Sequence, residues 1–115
     1  MLGTINFKKA YIDIRKLEDY CLNEFHPFGK DKAKVFKSLL GIESKDAELL
    51  RIAILDGLGE TDIILKEKDK FGLRFSAIVK IRIFEKEAFV TTGWIIKTGE
   101  DFPRLTTCYI SNKTK

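Results

Sequence analysis

The stretch LRFSAIVKIRIF, residues 73–84, decides the fold class of this chain. Apolar side chains occupy every second position in it, and this period of two is typical of a β-strand that buries one face. The apolar positions are Leu73, Phe75, Ala77, Val79, Ile81 and Ile83. The positions between them include Arg74, Ser76, Lys80 and Arg82. We therefore expect a long strand with a core on one side only.

Three further strands are expected around this stretch. Residues 63–68 precede it, and residues 88–98 follow it after a tight polar hairpin at 85–87. Residues 104–110 form the last predicted strand. Because strands that follow one another through short turns pair antiparallel, the second half of the chain predicts a four-stranded antiparallel meander.

Two helices are predicted before the strands, from apolar residues that recur at helical spacing. Asp13 is placed to cap the first helix, which ends near Asn23. Asp31 is placed to cap the second helix, and Gly41 is placed to end it. The helical period is lost only after residue 60.

A third helix is expected to begin at Ser44 or Asp46 and to end at Gly57 or Gly59. A run of helices followed by a run of strands is typical of an α+β fold. We therefore expect about three N-terminal helices to pack on one face of the four-stranded sheet. The other face of an antiparallel sheet can then meet solvent or a ligand.

The chain of 115 residues fits a single domain. Residues 1–12 are expected to form an extended lead-in, residues 13–59 the helical part, and residues 61–110 the antiparallel sheet. Residues 111–115 are polar and are expected to form a flexible tail.

Composition and motifs exclude several classes of function. The net charge of +4 permits an anionic partner without requiring one. No segment approaches the roughly 20 apolar residues of a transmembrane helix, and the start lacks signal-peptide features. We therefore expect a cytoplasmic protein, or a domain cut from a larger one, without a membrane partner. Cys21 and Cys108 suit buried free thiols rather than a zinc site. The usual nucleotide, zinc-hydrolase and serine-hydrolase motifs are absent, so neither a metal nor a cofactor is expected.

The only histidine, His26, lies in FHPFGKDK, residues 25–32. Histidine changes its charge near neutral pH. Lys30, Lys32 and Lys34 lie at the start of the second predicted helix, where backbone N–H groups already favour anions. This combination suits phosphodiester chemistry, with His26 as a general base in a cleft. The alternatives are that His26 satisfies a helix end and that the lysines are ordinary surface residues.

The last predicted strand carries a second candidate set. On simple alternation, Arg104 and Thr106 share a face with Cys108, whereas Thr107 and Tyr109 lie on the other face. An arginine fork with a threonine hydroxyl can hold a phosphate, and Thr107 with Tyr109 can do likewise. The alternative is that these residues are present for their β-propensity alone.

Trp94, the only tryptophan, has two interpretations. Its ring can stack on a nucleic acid base. It can equally fill the core beneath an apolar strand.

Four elements of the sequence form a recognisable set. They are Lys16-Leu17-x-x-Tyr20-x-Leu22-Asn23, His26-Pro27-x-Gly29-x-x-Lys32-Ala33-x-Val35-Phe36, Gly93-Trp94-Ile95-Ile96 and Pro103-Arg104-Leu105-Thr106-Thr107-Cys108-Tyr109. Over roughly residues 10–110, the chain resembles a small family of uncharacterised bacterial domains. Its members occur alone and as the C-terminal tips of polymorphic toxins.

The order of helices and strands is also similar to the superfamily of barnase, EndoU, colicin and RelE-like (BECR) ribonucleases. This resemblance implies metal-independent RNA cleavage, in which the 2′-hydroxyl attacks the adjacent phosphorus and leaves a cyclic phosphate. It implies that His26 is the base or the acid, and that Tyr109 or a lysine takes the second proton role. The implied catalytic residues are His26, Lys32, Arg104, Thr106, Thr107 and Tyr109, and the implied substrate-binding residues are Lys30, Lys34 and Trp94.

RNA and a cognate inhibitor or immunity protein are the partners that a ribonuclease toxin would have. Two other functions stay open. A non-catalytic module would bind RNA or another protein through the basic stretch 26–40. An interaction or immunity protein would use its acidic first helix and the β-rich half. A shared catalytic site requires the turn around His26 to face the last strand across an open cleft.

Overall fold

The computed structural model describes residues 5–59 and 63–110, which form three helices followed by four strands. The helices are α1 (Ile14–Lys16), which continues as a π-helical turn over Leu17–Cys21, α2 (Lys30–Leu40) and α3 (Ala47–Leu58). The strands are β1 (Ile63–Asp69), β2 (Gly72–Ile83), β3 (Lys86–Lys97) and β4 (Arg104–Ile110). The predicted tail at 111–115 and the first part of the predicted lead-in, 1–4, lie outside the described residues.

The four strands form one antiparallel sheet in the order β1-β2-β3-β4. The α+β prediction is therefore confirmed. Strand β2 buries Phe75, Ala77 and Val79 on the face that α3 covers, as its alternation predicts. No helix within residues 5–59 and 63–110 is long and apolar enough to cross a membrane.

Helix α3 lies close to the sheet because of a glycine inside it. The helix begins after Asp46 and runs through Gly57 to Leu58, so Gly59 is the glycine at its end. A Cβ atom on Gly57 would overlap the Val79 Cγ1 atom. Gly57 therefore serves the contact between α3 and β2 and does not stop the helix.

The start of α2 differs from the prediction. The helix begins at Lys30, one residue before Asp31, and Asp31 lies in the first turn and not at the cap. A carboxylate in the first turn still interacts favourably with the helix dipole. Gly41 ends α2 in the left-handed conformation with φ of 71°, as predicted.

A β-bulge in β4 changes which residues share a face. Leu105 pairs with Trp94 and Thr107 pairs with Gly93, so Thr106 is an extra residue without a partner on β3. Leu105 and Cys108 are both buried as a result. The predicted faces of β4 are therefore wrong. Simple alternation had separated Arg104 from Thr107 and Tyr109, but the bulge places all three on the open face of the sheet.

The lead-in covers part of the outer edge of β4. Tyr11 forms a parallel bridge with Arg104, in which the Tyr11 backbone O accepts from Leu105 N at 3.0 Å. Asn6 N donates to Asp101 O at 2.7 Å. A 3₁₀ turn at Phe7–Lys9 interrupts the extended conformation that was expected here.

Cys21 and Cys108 are free thiols in the core, as predicted. The hydrogen bond from the Cys108 thiol lowers the pKa of Cys21 to about 7, against the effect of burial. That same hydrogen bond, together with burial, raises the pKa of Cys108. The pair lies where the π-helical turn packs against β4.

Candidate functional site

The imidazole of His26 holds the turn before α2. Its Nδ1 atom accepts hydrogen bonds from Phe28 N at 2.9 Å and from Gly29 N at 3.0 Å. With Nδ1 used as an acceptor, the proton of the neutral ring lies on Nε2. His26 therefore satisfies a helix end, which was one of its two interpretations. It also presents an N–H donor, and not a free base, at its other nitrogen.

Tyr20 connects His26 with Lys32. The rings of Tyr20 and His26 meet edge to face at 4.9 Å between centroids. Lys32 Nζ donates to the Tyr20 hydroxyl at 3.1 Å and lies 5.9 Å from the centroid of the Tyr109 ring. A Cβ atom on Gly29 would overlap the Tyr20 backbone O, so only glycine fits there. These contacts fix Tyr20 and Lys32 between the His26 turn and β4.

His26 and the last strand line one open cavity. The cavity has a volume of about 570 Å³. Its lining residues are Asp13, Arg15, Lys16, Asp19, Tyr20, His26 and Thr106. Asp13 is paired with Arg15 at 2.9 Å, and this hydrogen bond lowers the pKa of Asp13. Asp19 has no ion pair within the described part of the chain, so its carboxylate is available to a ligand.

A second cavity, of about 340 Å³, adjoins the first and is strongly basic. It is lined by Tyr11, Asp13, Lys16, Arg74, Ile95, Lys97, Arg104, Leu105 and Thr106. Four of these side chains are basic and one is acidic. Asp13, Lys16 and Thr106 line both cavities, so the two lie side by side, and together we call them the β4 cleft.

Arg104 lies in the basic half of the β4 cleft but is already paired. Its guanidinium donates to both carboxylate oxygens of Glu100, at 3.0 and 2.9 Å. It also packs on Phe102, 4.8 Å from the ring centroid. The ion pair lowers the pKa of Glu100 and raises that of Arg104. Lys16 and Lys97, in contrast, have no ion pair among residues 5–59 and 63–110.

The open face of the sheet adds a third depression beside Thr106, with a volume of about 280 Å³. Thr107 and Tyr109 line it, next to Gly93. The Thr107 Oγ1 atom is buried. A Cβ atom on Gly93 would lie 3.1 Å from Thr106 Oγ1. Thr106, the bulge residue, thus borders all three cavities.

A comparison with protein-family models matches residues 4–112 to the family described as "Domain of unknown function (DUF6883)". The chain belongs to the DUF6883 family. No curated protein and no solved structure gives a significant match. The predicted membership of an uncharacterised domain family is thereby confirmed, and the match covers all four strands and every residue of the β4 cleft.

Six of the nine predicted site residues of this DUF6883 domain do not line the β4 cleft. Thr107 and Tyr109 line the third depression, and Lys32 contacts the cleft residue Tyr20. The other three are Lys30, Lys34 and Trp94. Lys30 and Lys34 each stand two positions from Lys32, which is about 200° around an α-helix, and they therefore point away from β4. Trp94 is only 1% exposed. Its indole N–H donates to Thr92 Oγ1 at 2.7 Å, so the ring fills the core and offers no free face to a base.

Five charged or phenolic residues that line the β4 cleft were not predicted as site residues: Lys16, Asp19, Tyr20, Arg74 and Lys97. The signal for Lys16 and Tyr20 was their spacing of four, which places both on one side of a helix. Arg74 lies on the polar face of β2, which was recognised without being assigned to a site. The position of Lys97 depends on the strand register, and the sequence alone does not provide it.

The described residues of the DUF6883 domain contain no cluster of three or more His, Cys, Asp or Glu side chains that could hold a metal ion. The groups available in the β4 cleft are therefore a carboxylate, a phenol, an imidazole N–H and several cations. Such a set can bind a phosphate and can transfer protons.

Proposed function

We propose that this DUF6883 domain binds RNA in the β4 cleft and cleaves it by attack of the 2′-hydroxyl on the adjacent phosphorus. The observation that carries the proposal is the adjacency of the two cavities of the cleft. A basic cavity with four cationic side chains shares lining residues with the cavity that holds Asp19, Tyr20 and His26. Phosphates of the backbone would occupy the basic half, and the scissile phosphate would lie beside His26.

The basic half supplies charge for the backbone phosphates. Lys16 and Lys97 are its unpaired cations, and Arg74 shares its charge with Asp69 at 3.4 Å. Preorganised positive groups around a phosphoryl centre usually make the largest contribution to such catalysis. Arg104 contributes less in this scheme because Glu100 occupies its fork.

His26 acts in the proposal as a hydrogen-bond donor to a phosphoryl oxygen. Phe28 N and Gly29 N both donate to Nδ1, so Nε2 is the ring nitrogen that can reach the substrate. The neutral ring donates through Nε2–H, and it does not remove a proton from the substrate. The roles of base and acid first assigned to His26 therefore pass to its neighbours.

Asp19 and Tyr20 take the two proton roles. The Asp19 carboxylate accepts the proton of the 2′-hydroxyl as the new O–P bond forms. The Tyr20 hydroxyl gives its proton to the 5′-oxygen as the old P–O bond breaks, which leaves a 2′,3′-cyclic phosphate and a 5′-hydroxyl. Lys32, at 3.1 Å from the Tyr20 oxygen, balances the phenolate charge until the proton returns from Asp19 through water.

The test is cleavage of a single-stranded RNA oligonucleotide by purified protein in the presence of EDTA. We expect cyclic-phosphate products from the wild type. Asp19→Asn and Tyr20→Phe should each lower the rate by about 100-fold or more, the usual contribution of a positioned acid or base. Glu18→Gln is the matched control, because Glu18 is exposed and lies one residue from Asp19. RNA that stays intact with the wild type would refute the proposed cleavage.

Binding of RNA without cleavage is the second candidate, and it is favoured by the use of His26 Nδ1 as an acceptor within its own turn. In that case the wild type would bind the oligonucleotide, release no cyclic phosphate, and lose affinity when Lys16 or Lys97 is reversed in charge. Affinity would also fall steeply with salt, since phosphate contacts release counterions.

A toxin role is part of the same proposal. Expression of the wild type in a bacterium should stop growth, and Asp19→Asn should relieve the effect at equal protein level. A cognate inhibitor would then cover the β4 cleft. Equal growth with both forms would argue against a toxin. It would not bear on RNA binding, which the oligonucleotide assay tests.

A further inference from the structure

Two phenylalanines on the His26 turn are almost fully exposed. Phe25 is 93% exposed and Phe28 is 79% exposed, more than any other large apolar side chain in the described residues. Neither one contributes to the core. Exposed aromatic rings are unfavourable in water relative to buried ones, so the fold itself does not account for their presence.

The turn that carries these rings is rigid. Asn23 Oδ1 accepts from Phe25 N at 2.9 Å, and His26 Nδ1 accepts from Phe28 N at 2.9 Å. Two side chains thus fix the backbone on either side of Pro27. The rings are therefore held out on a fixed support, which lowers the entropy lost when a ligand binds.

The Phe28 ring stands at the end of a row of aromatic side chains that leads into the β4 cleft, and Phe25 directly precedes His26 on the same turn. The Phe28 ring lies 6.0 Å from the His26 ring, and the His26 ring lies 4.9 Å from Tyr20. A chain of nucleotides could follow this row from solvent to the phosphate position beside His26.

The charge around the rings is complementary to a nucleic acid backbone. Lys30 and Lys34 lie four residues apart on one side of α2, directly after Phe28, and neither has an ion pair in the described part of the chain. The nearby acid Glu24 is neutralised by Lys37 at 3.5 Å. Aromatic rings interleaved with unpaired lysines are the usual composition of a surface that binds single-stranded nucleic acid.

We propose that Phe25 and Phe28 form a stacking platform for two unpaired bases next to the phosphate at His26, and that Lys30 and Lys34 bind the flanking backbone. The ligand class is single-stranded RNA, because bases held in a duplex cannot stack on a side chain. This inference rests on the proposed function for its RNA. It gives a role to Lys30 and Lys34, which point away from β4 and so do not line the β4 cleft.

The test uses an eight-nucleotide RNA that carries one 2-aminopurine, whose fluorescence falls when the base stacks. We expect quenching with the wild type. Phe25→Ala and Phe28→Ala should each weaken binding about tenfold, in the range found for single base–aromatic contacts, and reduce the quenching. Phe28→Trp should retain both signals, whereas Phe28→Leu, which is apolar without a ring, should lose them.

Phe71→Ala is the matched control. Phe71 is 60% exposed on the β1–β2 turn, and Lys70 lies 5.2 Å from its ring centroid. Phe71 and Lys70 thus form an exposed aromatic–lysine pair away from the His26 turn. The Phe71→Ala variant should bind the RNA with the affinity of the wild type. The buried Trp94 reports in the alanine and leucine variants that the fold is intact, and circular dichroism does so for Phe28→Trp, which adds a second indole.

The outcomes separate this inference from the proposed function. Loss of binding in the two phenylalanine variants without any cleavage by the wild type would support the platform and refute the chemistry. Unchanged binding in those variants, with weaker binding in Lys97→Glu, would overturn the platform and leave the proposed function in place. Binding of anionic phosphatidylserine vesicles that needs Phe25, without binding of the oligonucleotide, would overturn the platform in favour of a membrane contact. No RNA binding by the wild type would refute both.

Discussion

The His26 ring holds the turn before α2 and at the same time faces the β4 cleft, so a substitution there changes two properties. His26→Ala removes the acceptor for Phe28 N and Gly29 N and should lower the free energy of unfolding by about 1 kcal/mol, as loss of a helix cap does. His26→Asn keeps an acceptor near the Nδ1 position and should cost less than half of that. Urea denaturation followed by Trp94 fluorescence measures both.

If the two His26 variants lose the same stability, the Nδ1 hydrogen bonds do not hold the turn. If they differ as expected, His26→Asn becomes the variant of choice for testing function, since it removes the Nε2–H donor and keeps the fold.

The Glu100–Arg104 pair gives a pH-dependent prediction. Arg104 lowers the pKa of Glu100 from its ordinary value of 4.5, so the ionised form stabilises the folded state. This stabilisation is fully present above pH 4.5 and is lost as the pH falls through the lower pKa of the folded protein. Glu100→Gln should therefore lower the melting temperature at pH 6. The difference in melting temperature from the wild type should disappear once the pH falls below the pKa of Glu100 in the folded protein. A constant difference at all pH values would contradict the ion-pair explanation.

Single residues also show where sequence interpretation reached its limit. The sequence presented His26 as either a base or a helix-end residue, and only the positions of Phe28 N and Gly29 N distinguish the two. The spacing of Lys16 and Tyr20 was available from the sequence. Their meeting with Thr106 was not, because it depends on the packing of the π-helical turn against β4.

At the scale of elements, the contact between α3 and β2 depends on Gly57. Replacement of an interior helical glycine by alanine normally stabilises a helix by about 1 kcal/mol. Here the new Cβ overlaps Val79 Cγ1, and overpacking of this kind costs about 1–3 kcal/mol, so Gly57→Ala should be destabilising overall. Thermal or urea unfolding measures the change.

Gly59→Ala is the control for that prediction. Gly59 ends α3 with φ of −72°, and no atom of its described neighbours lies within 4 Å of the Cβ position. It should leave stability unchanged or raise it slightly. A stabilising Gly57→Ala would show that α3 moves away from the sheet more easily than its packing suggests.

The strands were predicted better than their faces. Alternation in 73–84 identifies β2 and its buried side, and the turn residues identify the meander. One extra residue in β4, Thr106, reverses the alternation after it, and nothing in the sequence PRLTTCY marks that position. Because the bulge lies beside Gly93, its cause is the local fit between two strands, which becomes visible only when the register is known.

At the scale of the whole molecule, the distribution of charge matters more than the total of +4. Lys16→Glu and Lys97→Glu should each weaken RNA binding and reduce the slope of log affinity against log salt by about 0.7, the value for one lost phosphate contact on a single strand. Lys45→Glu changes the net charge equally on an exposed 3₁₀ turn and is the control. Equal effects of all three variants would indicate attraction by net charge and no defined basic site.

The overall architecture was largely predictable, whereas the site was predictable only in part. Periodicity fixed the order of helices and strands, because each element must bury one face. The turn with His26 and the strand with Thr106 were both selected from the sequence. The basic cavity between them is formed by residues from α1, β2, β3 and β4, and such a convergence of distant segments has no local signature.

The two unlike nitrogens of His26 have a spectroscopic consequence. Because the chain has one histidine, every imidazole signal in the nitrogen-15 NMR spectrum of labelled protein belongs to His26 without assignment. A neutral ring with the proton on Nε2 gives two widely separated nitrogen resonances, and a protonated ring brings them together. The resonances of this single ring will therefore report, atom by atom, whether a ligand leaves the proton in place or moves it.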